Sequence, residues 1–156
     1  MEQDFKVFID TNILVHSTLE DFEPEKNKET LLLLERLYLE KFEVFISTQT
    51  LREFYAVVTS SKFLVNALSP KSATKQIKFF LTTFTVLPVS ISETLQLNEL
   101  CTEYKIIGQK IHDTNIVATM LASGVKRLIT YNKKDFVQFK EIIVLLPNEF
   151  MVDIAK

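Results

Sequence analysis

The sequence is poor in glycine, cysteine and tryptophan, with two, one and none of these among 156 residues. Because Gly108 and Gly124 are its only glycines, a glycine-rich phosphate loop cannot form, which excludes P-loop and Rossmann nucleotide-binding modules. The single Cys101 excludes an internal disulfide and is typical of a reducing compartment. No apolar run approaches the roughly 18 residues of a membrane-spanning helix. We therefore expect a cytoplasmic protein.

The sequence also lacks a strong excess of charge of either sign. Its 18 basic and 20 acidic residues give a formal net charge of −2, so no general affinity for nucleic acid is expected. Binding to a polyanion would need local basic patches or bound cations. Hydrophobic residues make up 47% of the chain and include 13 phenylalanines, enough for a substantial core. The length fits one domain over residues 1–156.

Strand-like and helix-like segments alternate along the chain, which predicts βαβ units and a largely parallel sheet. Five short apolar segments have the pattern of strands: Phe5–Asp10, Glu43–Ile46, Thr85–Val89, Lys126–Thr130 and Glu141–Leu146. Between them, Ser47 or Thr48, Ser69, and Ser90 or Ser92 are predicted helix caps. In the helix that begins at Pro24, we expect Leu31, Leu34, Leu37 and Tyr38 to lie on one face.

Four acids follow or flank the predicted strand ends. Asp10 ends the first strand directly, and Glu53 lies on the helix after the second. Asp113 opens the helix before the fourth strand, on the side of Ile116 and Val117. Asp135 follows the fourth strand.

Each of these acids also has an ordinary structural interpretation. Asp10 and Asp113 are suited to cap helices, Glu53 to lie at the surface, and Asp135 to form a turn. Together, however, they converge on one edge of a parallel sheet, where ligands bind. Crowded carboxylates repel, so such a cluster shares protons or holds a cation. Oxygen ligands without cysteine or histidine favour Mg²⁺ or Mn²⁺.

The segments around these acids resemble the PIN-domain ribonucleases, and most of all the VapC-type toxins of toxin–antitoxin pairs. The likeness spans almost the whole chain in order. Its segments are residues 9–14 (IDTNIL), 47–54 (STQTLREF), 112–118 (HDTNIVA) and 130–136 (TYNKKDF). The resemblance implies a three-layer α/β/α fold with a central, mainly parallel five-stranded sheet, and a metal-dependent endoribonuclease.

The resemblance also assigns site residues. Asp10, Glu53 and Asp113 match the core acids of the family. Many relatives carry an aspartate where this chain has Asn132, whereas Asp135 precedes phenylalanine as in a common variant, so either residue fills the fourth position. Polar residues that match the pocket lining are Thr11, Asn12 and Thr130, with Asn132 beside them.

The implied activity is hydrolysis of RNA with Mg²⁺ or Mn²⁺ held by Asp10, Asp113, Glu53 and Asp135. Lys133 and Lys134 are candidate contacts for substrate phosphates. The family implies a homodimer blocked by a small antitoxin protein. Six aromatic residues either form part of such an interface or belong to the hydrophobic core: Phe54, Tyr55, Phe63, Phe79, Phe80 and Phe84.

Two alternatives remain open at this stage. A haloacid-dehalogenase-type phosphatase also places an aspartate after its first strand, although Asn12 stands where that family usually has a second one. The imperfect fourth motif also fits a catalytically impaired PIN-like module that binds RNA or protein.

Overall fold

The computed structural model describes residues 5–155, in which five strands and seven helices alternate. The elements are β1 Lys6–Ile9, α1 Thr11–Thr18, α2 Pro24–Leu39, β2 Glu43–Ser47, α3 Thr48–Val58, α4 Pro70–Thr83, β3 Thr85–Leu87, α5 Ile91–Glu103, α6 Lys110–Ala122, β4 Arg127–Ile129, a 3-10 turn Lys133–Asp135, β5 Ile143–Leu145 and α7 Pro147–Asp153. None of the helices in these residues is both long and apolar enough to cross a membrane.

The five strands form one parallel sheet in the order β3-β2-β1-β4-β5. The first strand therefore lies at the centre, and the chain crosses from one half of the sheet to the other between β3 and β4. In register, Phe8 pairs with Phe45 on one side and with Leu128 on the other. Because every strand runs the same way, all five carboxyl ends lie along one edge, where a parallel sheet commonly binds ligands.

Alternate residues of the strands face two separate hydrophobic cores, as expected from the two-residue period of a β-strand. Val7, Ile9 and Ile129 pack on the side of α1, α2, α3 and α7. Phe8 and Leu128 pack on the opposite side, against α5 and α6. The expected three-layer α/β/α arrangement is therefore confirmed.

Helix ends follow the predicted capping residues closely. Ser47, Ser69 and Ser90 are the N-caps of α3, α4 and α5, and each hydroxyl accepts a hydrogen bond from a backbone N–H in the first helical turn. After α6, Gly124 has φ +69°, a left-handed conformation that glycine adopts without steric cost. These local signals explain why most element boundaries agree with the sequence-based prediction.

The apolar face expected on α2 is buried only in part. Leu37 is buried, but Leu31 and Tyr38 are exposed. The helix instead buries two polar residues beside Leu33 and Leu37. The Asn27 amide donates to the carbonyl of His16 at 2.6 Å, and the Thr30 hydroxyl lies 3.0 Å from the Tyr131 hydroxyl. Because specific hydrogen bonds satisfy the polar groups of Asn27 and Thr30, these residues can be buried, and the spacing of apolar residues alone does not identify the buried face of the helix.

Of the aromatic residues left open between core and interface, two are fully internal. Phe54 and Phe80 are buried and pack edge to face with ring centroids 5.1 Å apart. Phe63 and Phe79 are instead 69% and 56% exposed. The same group of residues therefore contributes both to the core and to an apolar surface.

Candidate active site

Asp10 stands at the junction of the central strand and the first helix. Its backbone is extended, it is the N-cap of α1, and its Oδ1 accepts a 2.7 Å hydrogen bond from the N–H of Thr11. Its Oδ2 accepts hydrogen bonds from the Thr130 hydroxyl at 2.7 Å and from the Asn12 amide at 3.2 Å. Asp10 is thus a helix cap, and the same carboxylate also faces the carboxyl edge of the sheet.

The electrostatic state of Asp10 is unusual for an aspartate. Burial raises its pKa to about 6, the hydrogen bonds from Thr130 and Thr11 oppose that rise, and the negative charges of Glu53 and Asp113 add to it. The ordinary pKa of an aspartate is about 3.9. A carboxylate with so high a pKa is one whose charge is poorly compensated by the protein, and a nearby cation would stabilise it.

Three polar neighbours hold Asp10 in place. Thr130 is fully buried, and its hydroxyl donates to Asp10 while accepting from the Asn12 amide and the backbone N–H of Asn132. The Asn12 side-chain oxygen accepts from the N–H of Tyr131. These bonds join the ends of β1 and β4. The structure therefore places Thr11, Asn12 and Thr130 around Asp10.

Glu53 lies in the second half of α3 and is also held by two donors. The Thr11 hydroxyl donates to its Oε2 at 2.7 Å, and the Gln49 amide donates to its Oε1 at 2.7 Å. Each carboxylate oxygen therefore accepts one hydrogen bond from the protein. The charge of Glu53 contributes to the raised pKa of both Asp10 and Asp113. The Glu53 carboxylate is therefore close enough to both acids for its charge to act on them.

Asp113 is on the first turn of α6 but does not cap it, because the N-cap position is Gln109. Burial raises its pKa, as do the negative charges of Asp135 and Glu53, while His112 opposes the rise. Asp113 and Asp135 also line the same small cavity. Asn132 and Asp135 are both exposed, and Asn132 enters the hydrogen-bond network through its backbone, whose N–H donates to Thr130 and whose carbonyl accepts from the N–H of Asp135. The geometry thus favours Asp135 over Asn132 as the fourth acid.

The donor chemistry of these four acids suits a hard divalent cation, since every donor is a carboxylate oxygen. Within residues 5–155, no three Asp, Glu, His or Cys side chains are grouped closely enough to hold a metal ion by themselves. Mg²⁺ commonly keeps several waters and binds through only one or two carboxylates. The arrangement therefore fits a cation held by two protein ligands and water, and does not fit a closed structural metal site.

Two lysines stand beside the acids. Lys110 and Lys134 line the small cavity of about 80 Å³ together with Asp113, Asp135 and Gln138. Lys133 does not line it, because its Nζ donates to both carboxylate oxygens of Glu149 at 2.8 and 2.7 Å. Of the two lysines singled out in the sequence, the structure therefore brings only Lys134 to this cavity.

A larger cavity, of about 490 Å³, lies elsewhere in the molecule. It lies between the α1–α2 connection, including Leu19 and Phe22, and the α3–α4 connection, including Phe63 and Leu64. None of the four acids lines it. Because Asp10, Glu53 and Asp113 interact with one another at the carboxyl edge of the sheet, we place the candidate active site there and not in this larger cavity.

Sequence reasoning missed three residues of the site. Gln49 donates a hydrogen bond to Glu53 and accepts one from Asn115, and Lys110 shares the small cavity with Lys134. A signal for Gln49 was available, because it lies four residues before Glu53 and so on the same helix face. Asn115 has no such local signal, since its partner is 66 residues away in the chain.

Comparison with solved structures finds this fold in toxin–antitoxin proteins. VapBC2 of Rickettsia felis, solved with a promoter DNA fragment, is 23% identical with a TM-score of 0.64, covering 90% of this chain and 98% of that one. FitAcB of Neisseria gonorrhoeae is 21% identical with a TM-score of 0.63 and coverages of 90% and 97%. VapC20 of Mycobacterium tuberculosis, a sarcin–ricin loop cleaving toxin, is 16% identical with a TM-score of 0.62 and coverages of 87% and 98%.

The sequence itself gives a second comparison. Among curated proteins, none matches the sequence significantly. The family model described as PIN domain matches residues 7–142, which include Asp10, Glu53, Asp113 and Asp135 and amount to most of the chain. With the parallel sheet and the acids at its carboxyl edge, this match shows that the chain belongs to the PIN-domain family.

Proposed function

We propose that this protein is a metal-dependent endoribonuclease that hydrolyses RNA phosphodiester bonds, and that it is the toxin of a toxin–antitoxin pair. The observation that carries the proposal is the buried Asp10, whose pKa rises to about 6 by burial and by the charges of Glu53 and Asp113. A substrate phosphate would add further negative charge to this edge. A divalent cation held by the acids would offset that repulsion.

In this proposal Asp10 and Asp113 are the main ligands of Mg²⁺ or Mn²⁺. A bound divalent ion supplies Lewis-acid neutralisation of charge on the phosphoryl oxygens. Glu53 and Asp135 act through water. For Glu53 this role fits its geometry, because Thr11 and Gln49 hold its carboxylate and each oxygen keeps a second acceptor position for a water hydrogen bond.

The protein's own groups then have separate roles in hydrolysis. In the overall reaction a water oxygen bonds to phosphorus and one ester P–O bond breaks, leaving a phosphate on one RNA end and a hydroxyl on the other. Glu53, fixed by Thr11 and Gln49, orients water on the side of Asp113. Thr130 and Asn12 fix the Asp10 carboxylate, with Asn132 bound through its backbone N–H.

Substrate binding is assigned to the lysines of the small cavity. Lys134 and Lys110 present ammonium groups beside Asp113 and Asp135, where an RNA phosphate would lie. Lys133 would have to leave Glu149 before it could contact a phosphate. We therefore propose Lys134, with Lys110, as the main phosphate contacts and give Lys133 at most a secondary part.

The proposed partners are a small antitoxin protein and a second copy of the chain. Support for the antitoxin comes from the similar fold of a solved toxin–antitoxin complex from Klebsiella pneumoniae, which covers 90% of this chain. Exposed apolar side chains such as Phe63 and Phe79 offer surface for protein contacts. Co-expression with the product of an adjacent small reading frame, followed by size-exclusion chromatography with light scattering, tests both partners.

The decisive experiment for the activity is an RNA cleavage assay with three conditions. The wild-type protein is incubated with a mixed RNA substrate and Mn²⁺, and in a second sample with EDTA added. The Asp113→Asn variant is incubated with the same RNA and Mn²⁺ in a third sample. Asp153→Asn, a substitution of an exposed aspartate in α7, is the matched control.

We expect cleavage by the wild type and by Asp153→Asn, and its loss with EDTA or in Asp113→Asn. Full activity of Asp113→Asn would refute the assigned role of that acid. Cleavage that persists in EDTA would refute the metal dependence. Hydrolysis of a small phosphomonoester without RNA cleavage would favour a phosphatase instead.

A further inference from the structure

Gln49 connects the helix that carries Glu53 to the helix that carries Asp113. Its side-chain Nε2 donates to Glu53 Oε1 at 2.7 Å and to the backbone carbonyl of His112 at 2.9 Å. Its Oε1 accepts from the Asn115 amide at 2.7 Å. Gln49 is only 8% exposed. Both of its N–H groups are therefore used, and its oxygen is occupied as well.

The orientation of the Gln49 amide is determined by its partners. If the amide were rotated by half a turn, its oxygen would face the Glu53 carboxylate and the His112 carbonyl, both of which are acceptors. Two acceptors in contact repel, and rotating the Asn115 amide would not remove that conflict. Only the observed orientation pairs each donor with an acceptor, so the amide has one favourable state.

The bridge joins the two helices immediately beside an acid of the site. His112 precedes Asp113 in the chain, and Asn115 follows it by two residues. Glu53 and Asp113 are both carboxylates, and like charges repel at short distance. Repulsion of this kind tends to turn flexible carboxylates away from each other. A neutral amide that binds Glu53 and the α6 backbone at once opposes that movement.

We infer that Gln49, oriented by Asn115, is a positioning residue that fixes the Glu53 carboxylate relative to Asp113 before a cation binds. The inference rests on the proposed function and adds to it a residue pair outside the four acids. Residues that orient metal-site groups commonly change metal affinity by about 10- to 100-fold when they are replaced. Because Glu53, His112 and Asn115 occupy the polar atoms of Gln49, we assign it a positioning role and no contact with substrate.

The test measures Mn²⁺ affinity by isothermal titration calorimetry in a double-mutant cycle. Gln49→Leu removes all three hydrogen bonds and keeps a side chain of similar size. We expect it to weaken Mn²⁺ binding by about 10-fold or more. In the Glu53→Ala background, where no carboxylate remains to be positioned, Gln49→Leu should cause no further loss. Asn115→Leu should act in the same direction as Gln49→Leu.

A matched control is available on another helix. Gln96 on α5 is also a glutamine that donates to a glutamate of its own helix, Glu99, at 3.5 Å. Gln96→Leu should leave Mn²⁺ affinity unchanged. If Gln49→Leu fails to fold, Gln49→Met and Asn115→Leu supply the same comparison.

A second readout separates positioning from simple packing of α3 on α6. In RNA cleavage, Gln49→Leu should lower kcat while KM for RNA stays near the wild-type value, because Lys110 and Lys134 are untouched. An equal loss of Mn²⁺ affinity with and without Glu53 would overturn the inference. So would unchanged affinity in Gln49→Leu while the wild type binds Mn²⁺. A wild type that neither binds Mn²⁺ nor cleaves RNA would instead overturn the proposed function itself, and the inference with it.

Discussion

The Thr130 hydroxyl donates a 2.7 Å hydrogen bond to Oδ2 of Asp10, across 120 residues of sequence. The same hydroxyl accepts from the Asn12 amide at 3.1 Å and from the N–H of Asn132 at 2.9 Å. A threonine hydroxyl has one donor and two acceptor positions, and all three are used here. Thr130 is therefore the point at which the end of β4 and the residues that follow β1 are joined.

Thr130→Val is expected to lower the free energy of unfolding by about 1–3 kcal/mol, because it leaves buried polar groups without their partner. It also removes a hydrogen bond that lowers the pKa of Asp10, so that pKa should rise further. Thr130→Ser keeps the hydroxyl and should lose much less stability. Urea unfolding followed by circular dichroism measures the free energy of unfolding of both variants. A valine variant as stable as the wild type would contradict the role of this hydroxyl.

The raised pKa of Asp10 predicts a pH dependence of stability in the metal-free protein. The folded state binds the proton of the Asp10 carboxyl more tightly than the unfolded state does. Protonation of Asp10 therefore stabilises the folded state fully below about pH 4, and this stabilisation is lost as pH rises to about 6. The difference between about 3.9 and about 6 corresponds to about 3 kcal/mol. As pH rises from 4 to 7, the free energy of unfolding of Asp10→Asn should therefore increase relative to that of the wild type by up to about 3 kcal/mol.

Unfolding of both proteins at several pH values, with EDTA present, checks this prediction. Asp153→Asn provides the comparison for an exposed aspartate. A constant difference between wild type and Asp10→Asn across this pH range would show that Asp10 is ionised at little cost. The role of Asp10 as an uncompensated buried charge would then be wrong.

Much of this fold follows from local sequence signals. The serine caps at Ser47, Ser69 and Ser90 and the left-handed Gly124 depend only on neighbouring residues, and the structure agrees with them. Asp10 stood out for a similar reason, since an acid that directly ends an apolar strand has few structural roles. Parallel strands then bring distant acids to one edge, so Glu53, Asp113 and Asp135 could be proposed before any contact was known.

Other features depend on contacts between distant residues, which no local pattern reports. Gln49 and Asn115 lie within helices and pair across 66 residues. The role of Lys133 depends on Glu149, which is in the short helix α7 that the sequence analysis did not predict. On α2, buried Asn27 and Thr30 interrupt the apolar stripe because His16 and Tyr131 satisfy them. In each case a hydrogen bond or ion pair replaces the apolar spacing on which sequence prediction relies.

The neighbouring lysines are expected to behave differently in cleavage kinetics. Lys134→Gln should raise KM for RNA by about fivefold, which corresponds to the loss of about 1 kcal/mol from an exposed ionic contact. Lys110→Gln should have a similar effect, since both residues line the cavity of Asp113 and Asp135. Lys133→Gln should leave KM unchanged and lower stability slightly, because it breaks the pair with Glu149.

Steady-state cleavage of a short labelled RNA at two salt concentrations separates these variants. The effect of Lys134→Gln should shrink at high salt, as expected for a phosphate contact. A KM change confined to Lys133→Gln would reverse the assignment of the two lysines.

Binding of Mn²⁺ should stabilise the folded protein, and the gain should depend on pH. A ligand present at about 100 times its Kd adds about 2.7 kcal/mol to the free energy of unfolding. Because Asp10 has a pKa of about 6, protons compete with the cation at pH 5.5 far more than at pH 7.5. Differential scanning fluorimetry should therefore show a larger rise in Tm with Mn²⁺ at pH 7.5 than at pH 5.5, reversed by EDTA, and little rise in Asp10→Asn. Equal shifts in Asp10→Asn and wild type would place the bound cation away from Asp10, and the nuclease site would have to be assigned to other residues.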